Sequence, residues 1–444
     1  MSRVLHRAGA GPALAVSGTG SWITLASGAQ VLDGAGGAAV ACIGHGNRRV
    51  GAAIADQAAR ISYLHSAFFT STPAEELADL LVESGGGAFA RAFFVSSGSE
   101  SVESALKLAR QYHVERGAPS RSHVIARRQS YHGNTFGALS ASGHPARRAI
   151  YEPMLMSGFS HVSPCQAYRY RPEGLSDADW VAHLAAELEA EITGVGADRV
   201  AAFVAETVVG ATSGCTPAVP GYFRAMRAVC DRHGVLLVLD EIMSGMGRTG
   251  RLHAWQDEGV TPDIQTVAKG LGGGYVPIGA MLAAPKVVEA LAAGSGAFVH
   301  GHTYQAHPLA ARGALEVQRI IAEEDLVGRV ARMAPALRAR IETRLGDHPH
   351  VGDIRGRGFF LGLEFVADRA TKAPFAPQTG FATLVKDAAL ARGLAIYPGS
   401  GTIDGTRGDH VIVAPPFTAT EDELDQICER LALAVADATA LLPG

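Results

Sequence analysis

Short apolar runs alternate along this chain with longer stretches in which apolar residues recur at helical spacing. Arg91 to Val95, His123 to Ala126, Val200 to Ala205, Val235 to Leu239, Ile264 to Ala268 and Ala280 to Ala283 read as strands. Helices are expected from Ser101 to Tyr112 and from Tyr222 to His233. Strands that alternate with helices predict an α/β fold with a mostly parallel central sheet covered by helices. Beyond about residue 310 the pattern changes. A long helix over Pro308 to Ala322 leads to Leu326 to Leu345, Phe359 to Phe365, Phe381 to Arg392, Val411 to Val413 and Glu421 to Ala440, helix and strand pieces of a smaller α/β lobe. The expected division is a large domain over 56–310, a small domain over 311–444, and an N-terminal segment, 1–55, that joins the small domain and covers the active site.

The polar residues fall where such a sheet would use them. Ser96-Ser97-Gly98-Ser99 follows the first strand, Glu206 the third, Asp240 the next, and Lys269 the one after. Each lies at the carboxyl end of its strand, the edge along which open α/β sheets bind ligands. Ser97-Gly98-Ser99 also opens a helix, and a helix start with added hydroxyls is a phosphate cradle as well as an ordinary cap. Tyr131-His132-Gly133 follows the His123 strand, where an aromatic ring either stacks on a planar ligand or half-buries in a loop.

Composition narrows the class. At 444 residues the chain exceeds one ordinary core, and 47% apolar with 18% charged residues fits a large buried interior. A net charge of −4 gives no reason to expect nucleic acid or an anionic membrane as partner. No apolar run approaches a membrane span. Arg3, Arg7 and the stretch Ala8 to Val16 mimic a leader faintly, but Gly9, Gly11 and Pro12 interrupt its apolar core. The five cysteines, Cys42, Cys165, Cys215, Cys230 and Cys428, are scattered and never spaced C-x-x-C, which fits a reducing, cytoplasmic compartment.

Asp240 and Lys269 carry the candidate chemistry. Alone, an Asp at a strand end is ordinarily a turn residue, and a lysine in a Gly-rich loop is ordinarily solvated. Together, 29 residues apart in one α/β layout, they suit pyridoxal phosphate. That cofactor needs a lysine to hold its aldehyde as a Schiff base and a buried carboxylate to keep its pyridine nitrogen protonated. Other chemistries have weaker support. His300, His302 and His307 have metal-like spacing but lack an accompanying carboxylate motif. The run Gly270 to Gly274 is not the G-x-G-x-x-G turn of a dinucleotide site. A non-catalytic scaffold would leave Asp240 and Lys269 as costly buried charges.

Several motifs in order resemble the class III aminotransferases, the ω-amino-acid and amine transaminase group of the fold-type I pyridoxal-phosphate superfamily. They are Gly44-His45-Gly46-Asn47, Phe94 to Glu100, Ser130 to Thr135, and Leu239 to Ile242 running into Gly247-Arg248-Thr249-Gly250. Ala268 to Gly274, His302-Thr303-Tyr304 and Ala414-Pro415-Pro416 complete the set. The resemblance implies a large domain with a mostly parallel sheet, a smaller α/β domain, and a homodimer or tetramer with shared active sites. It implies transamination by two half-reactions, from a primary amine or ω-amino acid to a small keto acid such as pyruvate or 2-oxoglutarate. A racemase, epimerase or decarboxylating aminotransferase of the same fold is the alternative. Lys269 resembles the Schiff-base lysine and proton carrier, and Asp240 the pyridinium partner. Gly98 and Ser99 resemble the phosphate loop, and Thr303 a phosphate ligand given to the neighbouring subunit. Tyr131, with His132 beside it, resembles the ring-stacking aromatic, and Ile242 the apolar contact on the other ring face. Glu206 resembles an active-site glutamate that pairs with a mobile arginine.

The chain departs from that pattern at informative places. Thr207 stands where the family usually has Pro, and Ser101 where Ala is common. Gly405 occupies the expected position of the mobile carboxylate-binding arginine, which leaves Arg407, two residues on, as the candidate. Gly36 to Ala39 lacks a bulky aromatic, so Phe68 and Phe69 are the candidates for an apolar substrate wall.

Overall fold

The computed structural model describes residues 3–6 and 11–442. Arg7 to Ala10 of the leader-like stretch therefore lie outside the described residues. Strands β1 (Ala15–Thr19), β2 (Trp22–Leu25) and β3 (Gln30–Asp33) form an antiparallel meander. The central sheet takes β4 (Arg91–Val95), β5 (His123–Arg127), β6 (Phe159–Val162) and β7 (Val200–Glu206). A small hairpin, β8 (Val208–Val209) with β9 (Thr216–Pro217), precedes β10 (Leu236–Asp240), β11 (Ile264–Val267) and β12 (Gly279–Ala283). The sheet order is β4-β12-β11-β10-β7-β5-β6. Within it β12 runs antiparallel to both neighbours, and the other neighbouring pairs are parallel.

The expected mostly parallel sheet is present, with one strand more than the apolar pattern predicts. β6 reads Phe-Ser-His-Val and is half-buried over most of its length. An edge strand of that kind shows no continuous apolar run. Buried strands of parallel sheets do show one, and β7 and β10 are buried at every residue. Their last residues, Glu206 and Asp240, belong to the strands rather than to the loops beyond, because the two are register partners across the ladder.

The helix Tyr222–His233 has the expected bounds for a local reason. Gly221 and Gly234 flank it in the left-handed region, where only glycine is free of Cβ strain. Arg232 and His233 sit in its last turn, toward the negative end of the helix dipole.

In the C-terminal part β13 (Val351–Arg357), β14 (Phe360–Phe365), β16 (Tyr397–Ser400) and β17 (Asp409–Val413) form an antiparallel sheet, while β15 (Leu394–Ala395) joins β3 in parallel. The N-terminal meander is tied to this part by side chains as well. Ser21 Oγ and Trp22 Nε1 donate to the Glu423 carboxylate at 3.1 and 2.9 Å. Glu423 also completes the capping box of the helix Glu421–Ala440 with Thr420. The helix Pro308–Glu323 bridges the two main cores. Ala311, Ala314 and Leu315 pack into the core beneath the central sheet, while Val317, Ile320 and Ile321 pack with Phe359, Phe365 and Phe381.

Candidate functional site

Five strands deliver polar groups to one edge of the sheet, where they line a cavity of about 280 Å³. Gly98 and Ser99 come from the end of β4, Tyr131 and His132 from beyond β5, Glu206 from β7, Asp240 from β10 and Lys269 from β11. Ile242 completes the set of expected wall residues. The remaining sequence candidates lie elsewhere. Thr303 is exposed and does not line the cavity. Phe68 and Phe69 are 77% and 65% exposed, in ring contact with each other. Arg407 is paired with Asp404 at 2.7 Å on an exposed loop. Among the described residues no three His, Cys, Asp or Glu side chains gather as a metal site.

The helix Gly98–Glu115 begins inside the cavity wall. Ser97 caps it by accepting the Glu100 N–H at 3.2 Å, and Glu100 returns its carboxylate to the Ser96 N–H at 2.6 Å. The first-turn N–H groups of a helix have no partner within the helix, so this start favours an anion. Gly98 is required by space. A Cβ there would sit 2.9 Å from Ile242 Cδ1. Ser101, buried in the same helix, donates to the Ala280 carbonyl at 2.6 Å and locks the helix to β12, which an alanine would leave undone.

Asp240 is buried and held at both oxygens. Oδ1 accepts the Ile242 N–H at 3.0 Å, and His132 Nδ1 donates to Oδ2 at 2.8 Å. His132 Nε2 is buried without a partner among the described residues. Glu206 accepts the backbone N–H of Tyr131 at 3.0 Å and that of Gly210 at 2.9 Å, so it fixes the segment that carries the aromatic ring. Burial raises the Glu206 carboxyl above the usual carboxylate range.

Lys269 stands two residues beyond β11, with a backbone φ of 43° in the left-handed region. For a non-glycine residue this conformation costs on the order of 1–2 kcal/mol, and the surroundings hold it in place. Its carbonyl accepts the N–H groups of Gly272 and Gly273. Gln318 Nε2 donates to the next two carbonyls, those of Gly270 and Leu271, at 2.9 Å each. Burial lowers the Lys269 amine to about 8, against the opposing pull of Asp240 and Glu206. A large fraction of it is therefore neutral near pH 8, the state in which an amine attacks a carbonyl.

Two residues with no functional signal of their own in the sequence, Glu241 and Thr207, support this edge from behind. Glu241 is buried and receives four hydrogen bonds. Thr207 Oγ1 and the Trp255 N–H donate to one oxygen at 2.8 and 2.7 Å, and the Ala254 N–H and Gln265 Nε2 to the other at 2.8 and 2.9 Å. Burial pushes this carboxyl up to about 7, while donors at both oxygens favour its ionised form. The Thr207 N–H also donates to the Asp240 carbonyl at 3.2 Å. A proline at 207 would supply neither bond. Glu241→Gln turns an amide NH₂ toward two N–H donors, so it destabilises the protein by about 2–4 kcal/mol. Denaturant titration checks this, and an unchanged midpoint contradicts it.

These residues fit pyridoxal phosphate. The cavity joins a helix start for a phosphate, a buried carboxylate for a ring nitrogen, an amine depressed toward neutrality for an aldehyde, and apolar and aromatic walls for a flat ring. The His132 Nε2 adds a buried polar atom that no described residue satisfies.

The family model for aminotransferase class III matches residues 6–435. The chain is 48% identical to an uncharacterized aminotransferase of Schizosaccharomyces pombe over 432 residues, 97% of this chain and 94% of that one. An (S)-enantioselective ω-transaminase from Thermomicrobium roseum superposes with a TM-score of 0.89 at 38% identity, over 96% of this chain and 93% of that chain. An ω-transaminase from Pseudomonas jessenii in complex with PMP superposes at 0.91 with 32% identity, over 97% and 93%. The sheet edge, its desolvated amine and buried carboxylate, and the agreement of relatives along nearly the whole length lead to one assignment: this chain belongs to the class III aminotransferases, enzymes that work with pyridoxal phosphate.

Proposed function

We propose that this enzyme moves an amino group from a primary amine or ω-amino acid to a small keto acid, pyruvate or 2-oxoglutarate, in two half-reactions. When bound, pyridoxal phosphate supplies an electron-withdrawing ring and a place to keep the amino group between the two halves. Lys269 Nζ holds the cofactor covalently, and once released carries the proton that leaves the substrate carbon. Asp240 holds a proton on the ring nitrogen. The start of the helix at Gly98 and Ser99 binds the phosphate, Tyr131 and Ile242 enclose the ring, and Glu206 fixes Tyr131 through its N–H. The observation that carries this reading is a half-buried Lys269, its amine desolvated, and a buried Asp240 at neighbouring strand ends over one cavity that a helix start also lines.

The active unit in this proposal is a homodimer with Thr303 serving the partner's phosphate. Thr303 is exposed outside its own cavity. Around it lies an exposed aromatic group, in which the Tyr63 and Tyr304 rings meet edge-on at 6.0 Å. Contiguous exposed aromatics of this kind mark interfaces. Five unpaired, buried cysteines support a reducing compartment, the cytoplasm.

The test is a panel of amino donors added singly to the holoenzyme without a keto acid. A transaminase loses its visible absorbance in proportion to the donor consumed, and pyruvate or 2-oxoglutarate restores it. Absorbance that persists while the donor racemises or loses carbon dioxide overturns the proposal in favour of a racemase or decarboxylating relative.

A further inference from the structure

The position where the resemblance implies a mobile arginine is closed in this chain. Gly405 has φ +86°, and a Cβ there would lie 2.8 Å from Pro145 Cδ and 3.1 Å from Pro145 Cβ and Cγ. Pro145 therefore fills the space that a side chain at 405 would enter. The loop's own arginine does not compensate. Arg407 folds back on Asp404, whose carboxylate also accepts the N–H groups of Thr406 and Arg407 at 3.0 and 2.8 Å, and its side chain is 57% exposed.

The turn that brings Pro145 also brings Arg147. This residue is half-buried, and its guanidinium carbon lies 4.6 Å from the centroid of the Tyr131 ring. Tyr131 lines the cavity, and the charge of Arg147 is near enough to Lys269 to help depress its amine. Among the described residues the Arg147 guanidinium has no hydrogen bond or ion pair. Other buried or half-buried arginines are committed to protein groups. Arg148 donates to the carbonyls of Ser140 and Ser142 and pairs with Glu152. Arg127 donates to the Glu206 carbonyl, and Arg248 to those of Phe359 and Pro415. A guanidinium stacked on an aromatic ring keeps its planar edge of N–H donors open, the geometry that takes a carboxylate with two parallel bonds.

We propose that Arg147 is the carboxylate seat of this active site, binding the acid group of the ω-amino-acid donor and of the keto-acid acceptor from its place on the Tyr131 ring. The inference rests on the transaminase reading above and deepens it by naming the substrate class: amino acids and keto acids in preference to amines without an acid group. The Pro145–Arg148 turn, set against the cavity-lining Tyr131, supplies the charge instead of the loop around Gly405.

The test compares the holoenzymes of the parent, Arg147→Gln, Arg147→Lys and Arg407→Gln on a matched pair of donors, 4-aminobutyrate and butylamine, which differ in the acid group. Propionate, a carboxylate without an amine, is titrated into each protein by calorimetry. In Arg147→Gln the ratio of kcat/KM for 4-aminobutyrate to that for butylamine falls about 10- to 100-fold, mostly through KM, and propionate binding weakens by a similar factor. Arg147→Lys keeps the charge without the planar fork and falls between the two. An unchanged ratio in Arg147→Gln, or a loss that affects both donors equally, overturns the seat and leaves Arg147 as a support for Tyr131. A fall of the ratio in Arg407→Gln alone also overturns it. Propionate binding separates the two proposals. If no donor bleaches the parent, the transaminase reading fails, while weaker propionate binding in Arg147→Gln still supports the seat and equal binding overturns it.

Discussion

Alanine in place of Lys269 abolishes transamination. The amine has two duties in this account, holding the cofactor in place and carrying the substrate proton, and no neighbouring side chain can take over either. Proton transfer by a positioned group contributes about 10²–10⁴-fold by itself, so kcat for any donor falls at least about 1,000-fold. The other lysines, Lys107, Lys286, Lys372 and Lys386, lie away from the cavity lining. The variant should fold, since removing an amine whose charge is disfavoured by desolvation takes away a cost. The parent offers a second check. Its amine titrates at about 8, so cofactor uptake by the apo protein accelerates from about pH 7 to about pH 9 as the neutral fraction rises. Steady-state rates for the alanine variant within tenfold of the parent would remove Lys269 from the mechanism.

Asp240→Asn has the second largest effect, and for an electrostatic reason. A carboxylate at hydrogen-bond distance, about 3 Å, attracts a ring cation by roughly 5 kcal/mol at an effective dielectric of about 20. Asparagine keeps the shape but gives up the charge. It must also place an NH₂ group against either the Ile242 N–H or the His132 ring, both now bonded to a carboxylate oxygen. The rate falls at least about 100-fold, while circular dichroism stays close to the parent's and the denaturation midpoint falls only modestly, because the His132 ring can carry its proton on Nε2 and accept the amide at Nδ1. An unchanged rate with an unchanged fold would mean that a ring proton is not what Asp240 provides.

How much of this could be read from the sequence depended on how local the cause was. Strands β7 and β10 show as uninterrupted apolar runs because both faces of the sheet are covered. The carboxylates at their ends and the Gly-flanked lysine beyond β11 are therefore visible without a structure. The bounds of the helix Tyr222–His233 are visible for a similar reason, since glycines stop it at both ends. β6 was not legible, being a short edge strand with a Ser-His interior. The bond from His132 to Asp240 joins residues 108 apart, and the four donors of Glu241 come from three separate segments. Spacing carries no trace of such contacts. Thr207 could be seen as a departure from the family pattern, but its reason needed Glu241 in place. Gly405 likewise signalled a missing arginine, and only the packing of Pro145 against it brings Arg147 to notice. The placements of Phe68, Phe69 and Arg407 at the surface had no signature in the sequence, because exposure is decided by the rest of the fold.

Central to the account is one small molecule held by its aldehyde carbon at Lys269 and by its ring nitrogen at Asp240. The most direct measurement is to incubate the purified protein with pyridoxal phosphate, reduce it with borohydride, and map the modified peptide by mass spectrometry. The expected result is a yellow protein whose single stable adduct lies on Lys269 and is absent from Lys269→Ala. A protein that stays colourless, or an adduct on Lys107, Lys286, Lys372 or Lys386 instead, would contradict it.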